Sequence, residues 1–217
     1  MKKKALAVRR KGRGPLADDG RVARRLENRT RIVDALLSLI RSGRTHPTLS
    51  EIAAKAGVTS RTLLNHFPDT RALLRAAAAR AREGAEARLP RVPDNPDSEA
   101  RIREFFRRAS RFFDGYASIR WATLTFPSKV PGFDPRQAKS IVLGMVESRV
   151  AELLEGYGLT LSRDLELRRA VLMTVDPLAW RLLRVQQGLS RGQAAATVAY
   201  SVIALARDRQ RSPRRRR

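Results

Sequence analysis

The chain has 217 residues, 42% of them hydrophobic, so it can bury a sizeable core in one domain or in a small domain joined to a larger one. Its 45 lysines and arginines against 21 acidic residues give a net charge of +24, which favours polyanions such as nucleic acid or an anionic membrane face. The absence of cysteine excludes disulfides, thiolate metal sites and a cysteine nucleophile, and it is compatible with a cytoplasmic location.

The positive charge is concentrated at the two ends of the chain. The N-terminus reads MKKKALAVRRKGRGP, where only ALAV separates two basic runs, so we expect no export signal. The longest apolar stretch, TVAYSVIALA, is about half of the roughly 20 residues needed to cross a bilayer. We therefore expect a soluble cytoplasmic protein with no membrane segment, a flexible basic arm over residues 1–23 and a disordered basic tail over residues 209–217.

The first predicted helix spans about residues 24–42. Ile32, Leu36 and Ile40 recur every four residues there, which indicates one buried helix face. Gly43 follows the last apolar residue, where a left-handed C-terminal cap needs no Cβ. This helix is therefore predicted to end at the glycine.

Residues 48–67, TLSEIAAKAGVTSRTLLNHF, predict two short helices on either side of a glycine. Thr48 and Glu51 have the spacing of a capping box, in which each side chain satisfies a free backbone N–H of the other residue. Gly57 ends the first helix, and Thr59 can cap the second. The predicted spans are about 49–56 and 60–67, and two short helices at a sharp angle form a helix-turn-helix.

A fourth helix is predicted after Pro68, with Asp69 as its N-cap, to about residue 88. The proline-rich segment LPRVPDNPDS at 89–98 then indicates a linker. Further helices are predicted at about 98–115, 118–126, 134–156, 163–187 and 190–208, with a kink or break at Pro177. The predicted fold is all-α with about nine helices: an N-terminal three-helix head with its connecting helix at 24–88, and a larger helical body at 98–208.

The region 48–74 resembles the tetracycline-repressor (TetR) family of bacterial transcriptional regulators. The family pattern is roughly T-x-x-x-I-A-x-x-A-G-V-S-x-x-T-x-Y-x-H-F-x-x-K-x-x-L. This sequence matches it at Thr48, Ile52, Ala53, Ala56, Gly57, Val58, Thr62, His66, Phe67 and Leu73. With the preceding helix, the resemblance covers about residues 24–88, whereas the body resembles the family only in helix count and length.

The resemblance implies that the second helix of the motif lies in the major groove of double-stranded DNA. Arg61 and Asn65 can read guanine and adenine edges, respectively, and other matched positions contact phosphates. Leu64 and Thr70 stand where the family usually has a tyrosine and a lysine, so the basic arm, with Arg9, Arg10, Lys11 and Arg13, can compensate. The predicted DNA-binding residues are Thr48, Ser50, Thr59, Ser60, Arg61, Thr62, Leu64, Asn65, His66 and Thr70.

The resemblance also implies a small hydrophobic effector in the body and a homodimer formed through the helices at about 163–187 and 190–208. The ligand-binding candidates are Phe105, Phe112, Phe113, Tyr116, Trp121, Phe126, Met145, Met173 and Trp180. The dimer candidates are Leu178, Leu182, Val185, Val198, Val202 and Leu205. Both sets equally suit an ordinary core.

An enzyme is not predicted, because the chain has two scattered histidines, no P-loop and no dinucleotide-binding glycine motif. No cofactor or metal is expected. The alternative is a nonspecific nucleic-acid-binding or nucleoid-associated protein, for which the charge alone would suffice. The most specific function indicated is a DNA-binding transcriptional regulator, and a ligand-responsive repressor that binds a palindromic operator follows from the family.

Overall fold

The structure is a computed structural model, and it describes residues 15–44, 46–125 and 135–211. All regular secondary structure in these ranges is helical, which confirms the predicted all-α class. The helices are α1 (Pro15–Arg41), α2 (Leu49–Ala56), α3 (Ser60–His66), α4 (Thr70–Arg88), α5 (Ser98–Thr125), α6 (Pro135–Glu155), α7 (Leu165–Thr174), α8 (Pro177–Arg181) and α9 (Arg191–Arg211). A 3-10 turn (Leu161–Arg163) precedes α7, and a π-helical turn (Leu182–Gln186) follows α8.

The first hydrophobic core joins α1, α2, α3 and the first half of α4. It contains the predicted apolar face of α1, since Ile32, Leu36 and Ile40 are buried in it. Ala53 from α2 and Leu63 from α3 are buried in the same core. Neither short helix could be stable alone, because isolated helices of this length are marginal in water, so this shared burial holds both in place.

The second core is formed by α5 to α9 together with the end of α4, and it has an aromatic centre. The rings of Phe105 and Phe106 meet edge to face at 5.2 Å, and Phe113 stacks on Trp180 at 5.2 Å. These four side chains are buried, and α9 packs along α5 beside them. Such ring pairs add to the stabilisation that burial provides, so this part of the body is a packed core.

Helix α4 contributes to both cores. Leu73 and Leu74, near its start, pack with α1, whereas Ala85, near its end, packs with α5 and the rest of the body. Helix α1 also contacts α5 directly. The head and the body are therefore connected by packed helices, and the predicted division near residue 90 stays a prediction.

Three helix bounds differ from the sequence-based expectation. Helix α1 begins at Pro15, so the second part of the predicted flexible arm is helical. Helix α5 is continuous to Thr125, although two helices separated near Gly115 were expected. A glycine within a helix costs about 1 kcal/mol, which is less than the stabilisation gained by burying the aromatic residues of this helix. Helix α9 extends to Arg211.

The predicted break at Pro177 is confirmed. Asp176 caps α8 by accepting a hydrogen bond from the N–H of Leu178 at 2.8 Å, and Pro177 occupies the first turn, where its missing N–H leaves no bond unmade. Ser190 and Gln193 form a second capping box at the start of α9, each accepting a hydrogen bond from the backbone N–H of the other. Within the described ranges, no helix combines the length and apolar character needed to cross a membrane.

Candidate nucleic-acid interface

Helix α2 begins at the predicted capping box. The Thr48 hydroxyl accepts a hydrogen bond from the Glu51 N–H at 3.2 Å, and the Glu51 carboxylate accepts one from the Thr48 N–H at 2.7 Å. These hydrogen bonds lower the pKa of Glu51, and Arg44, which pairs with the carboxylate, acts in the same direction. The start of α2 is thus held by its own residues.

The turn between α2 and α3 depends on Gly57. Its φ of 66° and ψ of 37° lie in the left-handed region, and the N–H groups of Gly57 and Val58 return to carbonyls of α2 at 3.1 and 3.0 Å. Val58 is half-buried against the head core. Thr59 then caps α3 by accepting a hydrogen bond from the N–H of Thr62 at 3.1 Å. Backbone conformation and two successive caps therefore fix the angle between the helices.

Helix α3 presents one buried side and one exposed polar side. Leu63 is fully buried, and Phe67 at the C-cap is buried with it. The exposed side carries Ser60, Arg61, Leu64 and Asn65, and Leu64 is 46% exposed. Within the described residues, Arg61 makes no salt bridge and Asn65 makes no side-chain hydrogen bond, so both polar groups are available for another molecule.

Other predicted contact residues are already hydrogen-bonded within the head. Thr48 donates its hydroxyl to Glu51 at 3.1 Å as well as accepting from it, and the Thr59 and Thr62 hydroxyls are 2.9 Å apart. A phosphate would have to compete for the one proton of the Thr48 hydroxyl. Among the other predicted positions, Ser50 is exposed and Thr70, the first residue of α4, is half-buried.

Two arginines of α1 lie next to the end of α3, and sequence reasoning missed both. Arg29 donates a hydrogen bond to the His66 carbonyl at 3.0 Å, and its guanidinium lies 4.3 Å from the centre of the Phe67 ring. Partial burial lowers the pKa of His66, and the positive charges of Arg25 and Arg29 lower it further. The pairing of α1 with α3 was the missing information, because nothing within the motif itself indicates it.

The basic residues at the two ends lie largely outside the described residues. Arg9, Arg10, Lys11 and Arg13 belong to this group, and their contribution to DNA binding stays a prediction. In the described part of α1, Arg21, Arg24 and Arg25 are exposed on the segment predicted to be at the boundary of the arm. Of these, Arg21 belongs to the predicted arm of residues 1–23, so a helix carries part of the basic surface that was expected on a flexible chain.

The predicted ligand-binding residues do not surround one cavity in the described structure. Phe105, Phe113 and Trp180 are buried in the body core, and Met173 is 71% exposed on the surface of α7. Phe112 and Tyr116 line a cavity between α1, α4 and α5, and Met145 lines a separate one beside α6. Trp121 is half-buried with the guanidinium of Arg181 4.6 Å from its ring centre, and Phe126 lies outside the described residues.

Asp114 is the main polar junction of the body. Its carboxylate accepts hydrogen bonds from Trp180 Nε1 at 2.8 Å, Arg184 Nε at 3.0 Å and Arg191 Nε at 2.8 Å. Partial burial opposes its ionisation, but the three donors together keep the pKa of Asp114 below its usual value. The residue therefore ties α5 to α8, the π-helical turn and α9.

These features define a class of protein: a helix-turn-helix head, with an exposed polar face on its second helix, joined to a larger helical body. The family model described as bacterial regulatory proteins of the tetR family matches residues 32–77, which span the end of α1 to the first half of α4. The resemblance found in residues 48–74 is confirmed, and the chain carries the head of the TetR family. The protein is a DNA-binding transcription regulator.

A solved structure supports the same architecture. The crystal structure of a transcriptional regulator from Rhodococcus sp. Rha1 is similar to this chain with a TM-score of 0.61 and 18% sequence identity. The similarity covers 83% of this chain and 96% of that one, so it extends over the body as well as the head. At this identity the likeness establishes a shared fold. No curated protein matches this chain.

Proposed function

We propose that this protein is a ligand-responsive repressor that binds a palindromic operator as a homodimer and acts in the cytoplasm. The observation that carries the proposal is the exposed polar face of α3, where Arg61 and Asn65 have no partner in the described residues although the rest of α3 is firmly held. A preformed helix with such groups is suited to the major groove, because Arg61 and Asn65 have no contact within the described residues that must be broken first.

Each exposed residue of α3 has a specific role in this proposal. Arg61 donates two hydrogen bonds to a guanine, which contributes about 1 to 3 kcal/mol of discrimination, and Asn65 pairs with an adenine. Leu64, instead of the phosphate contact usual at its position, contacts a thymine methyl group. The phosphate contacts are then made by Ser50, Ser60, Thr62 and residues of α1, which fix the register of the head on DNA.

The operator test begins with selection of bound sequences from a random duplex library, followed by fluorescence anisotropy on the selected site and on random DNA. We expect the protein to prefer its selected site by about 10³-fold or more, and Arg61→Ala to remove much of that preference. Arg75→Ala on α4 is the matched control, because it removes the same charge from an exposed arginine outside α3. It should weaken binding to both DNAs equally.

The selection of bound sequences also distinguishes a sequence-specific regulator from the alternative function. A nonspecific nucleic-acid-binding protein, which the net charge of +24 would support, enriches no sequence and binds both DNAs alike. An equal loss on both DNAs for Arg61→Ala would assign this residue to the phosphate backbone. A selected site that is not an inverted repeat would contradict the homodimer.

A homodimer fits the operator geometry, because two recognition helices must enter successive major grooves about 34 to 36 Å apart. Two of the predicted dimer residues cannot contribute, since Val198 and Val202 are buried in the core of the same chain. The exposed apolar residues in these two segments are Leu182 and Val185 in the π-helical turn, 43% and 58% exposed, and Tyr200 on α9, 72% exposed. We therefore place the interface on this outer face of the last two helical segments.

Sedimentation velocity tests the interface directly. Val185→Glu and Tyr200→Glu should shift the protein to a monomer, because each would bury a carboxylate without a partner. Val22→Glu on α1 is the control, since Val22 is equally exposed at 57% but lies on the head. A dimer that persists in both interface variants would contradict this placement.

A further inference from the structure

An open cavity of about 210 Å³ lies where α1, α4 and α5 meet. Three arginines line it, one from each helix: Arg41, Arg88 and Arg111. Its remaining wall is apolar and includes Phe112 and Tyr116, whose rings are stacked with their centres 5.7 Å apart. The cavity thus combines a cationic rim with a flat aromatic surface.

Within the described residues, none of the three guanidinium groups forms a salt bridge. Asp34 is close enough to act on Arg41, but its carboxylate is bound to Arg80 at 3.2 and 3.4 Å. Partial burial and the positive charge of Arg88 both lower the pKa of Arg41, which indicates that like charges are held together there. An anion in the cavity would remove this repulsion.

Helix termini account for only part of this arrangement. Arg41 and Arg88 are the last residues of α1 and α4, where a cation is stabilised by the negative end of the helix. Arg111 lies in the middle of α5, where no helix end stabilises its positive charge. It lines the same cavity as the other two arginines, so three positive charges border a space in which a negative charge is favoured.

We propose that this cavity binds a small organic anion, with its carboxylate or phosphate group between Arg41, Arg88 and Arg111 and its apolar part against Phe112 and Tyr116. Arginine binds both kinds of head group through paired hydrogen bonds. The volume is below the roughly 300 to 1000 Å³ typical of sites for drug-sized molecules, so the ligand is small. The proposal deepens the ligand response proposed above and rests on it for its effect on DNA.

The position of the cavity connects such a ligand to the recognition helix. Arg41 ends α1 two residues before Gly43, where the chain turns towards α2, and α4 contributes to the same head core as α3. Arg111 and the aromatic wall belong to the body. An anion that draws the ends of α1 and α4 towards α5 therefore changes the orientation of the head, and in a dimer it changes the distance between the two recognition helices.

Thermal unfolding tests the site without knowledge of the natural ligand. The probes are benzoate and phenyl phosphate, with benzamide as the neutral analogue and inorganic phosphate as the anion without an apolar part, all at constant ionic strength. At ten times its dissociation constant, a bound anion should raise the Tm by about 3 to 6 °C. The organic anion whose head group the site prefers, benzoate or phenyl phosphate, should raise the Tm by this amount. Benzamide should not raise it. If neither organic anion raises the Tm at 10 mM, or if benzamide and inorganic phosphate act equally, the proposal is wrong.

Arg111→Gln assigns the effect to this cavity. It should abolish the Tm response to the organic anion, whereas Arg107→Gln, which removes an exposed arginine one turn earlier on α5, should retain it. Because Arg111 forms no salt bridge with the described residues, the Tm of Arg111→Gln without ligand should stay close to that of the wild type. A wild-type response in Arg111→Gln would place the anion elsewhere and overturn the proposal.

Anisotropy with the selected operator separates this proposal from the one on which it rests. The stabilising anion should weaken operator binding at least tenfold in the wild type and in Arg107→Gln but not in Arg111→Gln. If the anion stabilises the protein through Arg111 without affecting operator binding, the site stands and its regulatory role is overturned. If the operator is bound specifically but no anion stabilises the protein, the site fails and the DNA-binding function stands.

Discussion

Replacing Gly57 by alanine isolates the contribution of the turn between α2 and α3. With a φ of 66° and a ψ of 37°, this residue is in the left-handed region that glycine adopts without strain. A Cβ built at this position meets no atom within 4 Å. The substitution therefore perturbs the backbone conformation alone, with no steric clash added.

The expected magnitude follows from that geometry. An L-residue in the left-handed region costs about 1 to 2 kcal/mol. The alanine also restricts the unfolded chain, which offsets about 0.4 to 1 kcal/mol of this cost. We therefore expect Gly57→Ala to lower the free energy of unfolding by about 1 kcal/mol and the Tm by about 2 to 4 °C.

Urea unfolding followed by far-ultraviolet circular dichroism measures the change at one fixed protein concentration, because the apparent stability of a dimer depends on that concentration. Gly144→Ala is the matched control, because Gly144 lies within α6 and its Cβ would also meet nothing within 4 Å. Here the same substitution should stabilise the protein by about 0.5 to 1 kcal/mol. Gly57→Asn should be less destabilising than Gly57→Ala, since asparagine tolerates the left-handed region.

The opposite signs of the two alanine substitutions are the decisive result. If Gly57→Ala stabilises the protein as Gly144→Ala does, the turn is not held in the left-handed conformation in solution. If Gly57→Ala costs more than about 3 kcal/mol, contacts other than backbone strain must be lost, and the account of a free Cβ position is wrong.

The other predictions concern Asp114 and His66. Asp114→Ala should lower the free energy of unfolding by about 3 kcal/mol, because it leaves the buried Trp180 N–H and two arginines without their acceptor. The control is Glu104→Ala, which removes a surface ion pair with Arg108 on the same helix. It should lower the free energy of unfolding by under about 1 kcal/mol in the same urea experiment. Similar losses for both would refute the role of Asp114 as a junction. The lowered pKa of His66 means that the unfolded state binds its proton more readily than the folded state; wild-type stability should therefore fall as the pH drops below the ordinary value of 6.5, and His66→Gln should flatten this part of the pH profile. An unchanged profile in His66→Gln would assign the pH dependence to other groups.

Much of the head could be predicted from sequence because its determining interactions are local. The capping box of Thr48 and Glu51 spans three residues, and the left-handed turn at Gly57 needs one residue without a Cβ. The apolar period of α1 likewise specifies which of its faces is buried, as Ile32 and Leu36 show. Motif, caps and turn agree with one another, which is why the spans of α2, α3 and α4 are close to those predicted.

The body was less predictable because apolar stripes do not identify their partners. Val198 and Val202 form a helical stripe that suits a dimer interface, but α5 of the same chain covers it. Met173 belongs to an apolar segment and yet lies on the surface, whereas Trp180 is enclosed by the core. The choice between these outcomes depends on how helices far apart in sequence are arranged.

The sequence by itself determined the helical class, the helix boundaries set by caps, glycines and prolines, and the helix-turn-helix with its exposed Arg61 and Asn65. Only the tertiary structure decided which helix faces meet, and with them the approach of Arg29 to the end of α3 and the convergence of Arg41, Arg88 and Arg111 on one cavity. The physical reason is range: caps and turns are satisfied within a few residues, whereas residues 41, 88 and 111 become neighbours only when three helices pack together.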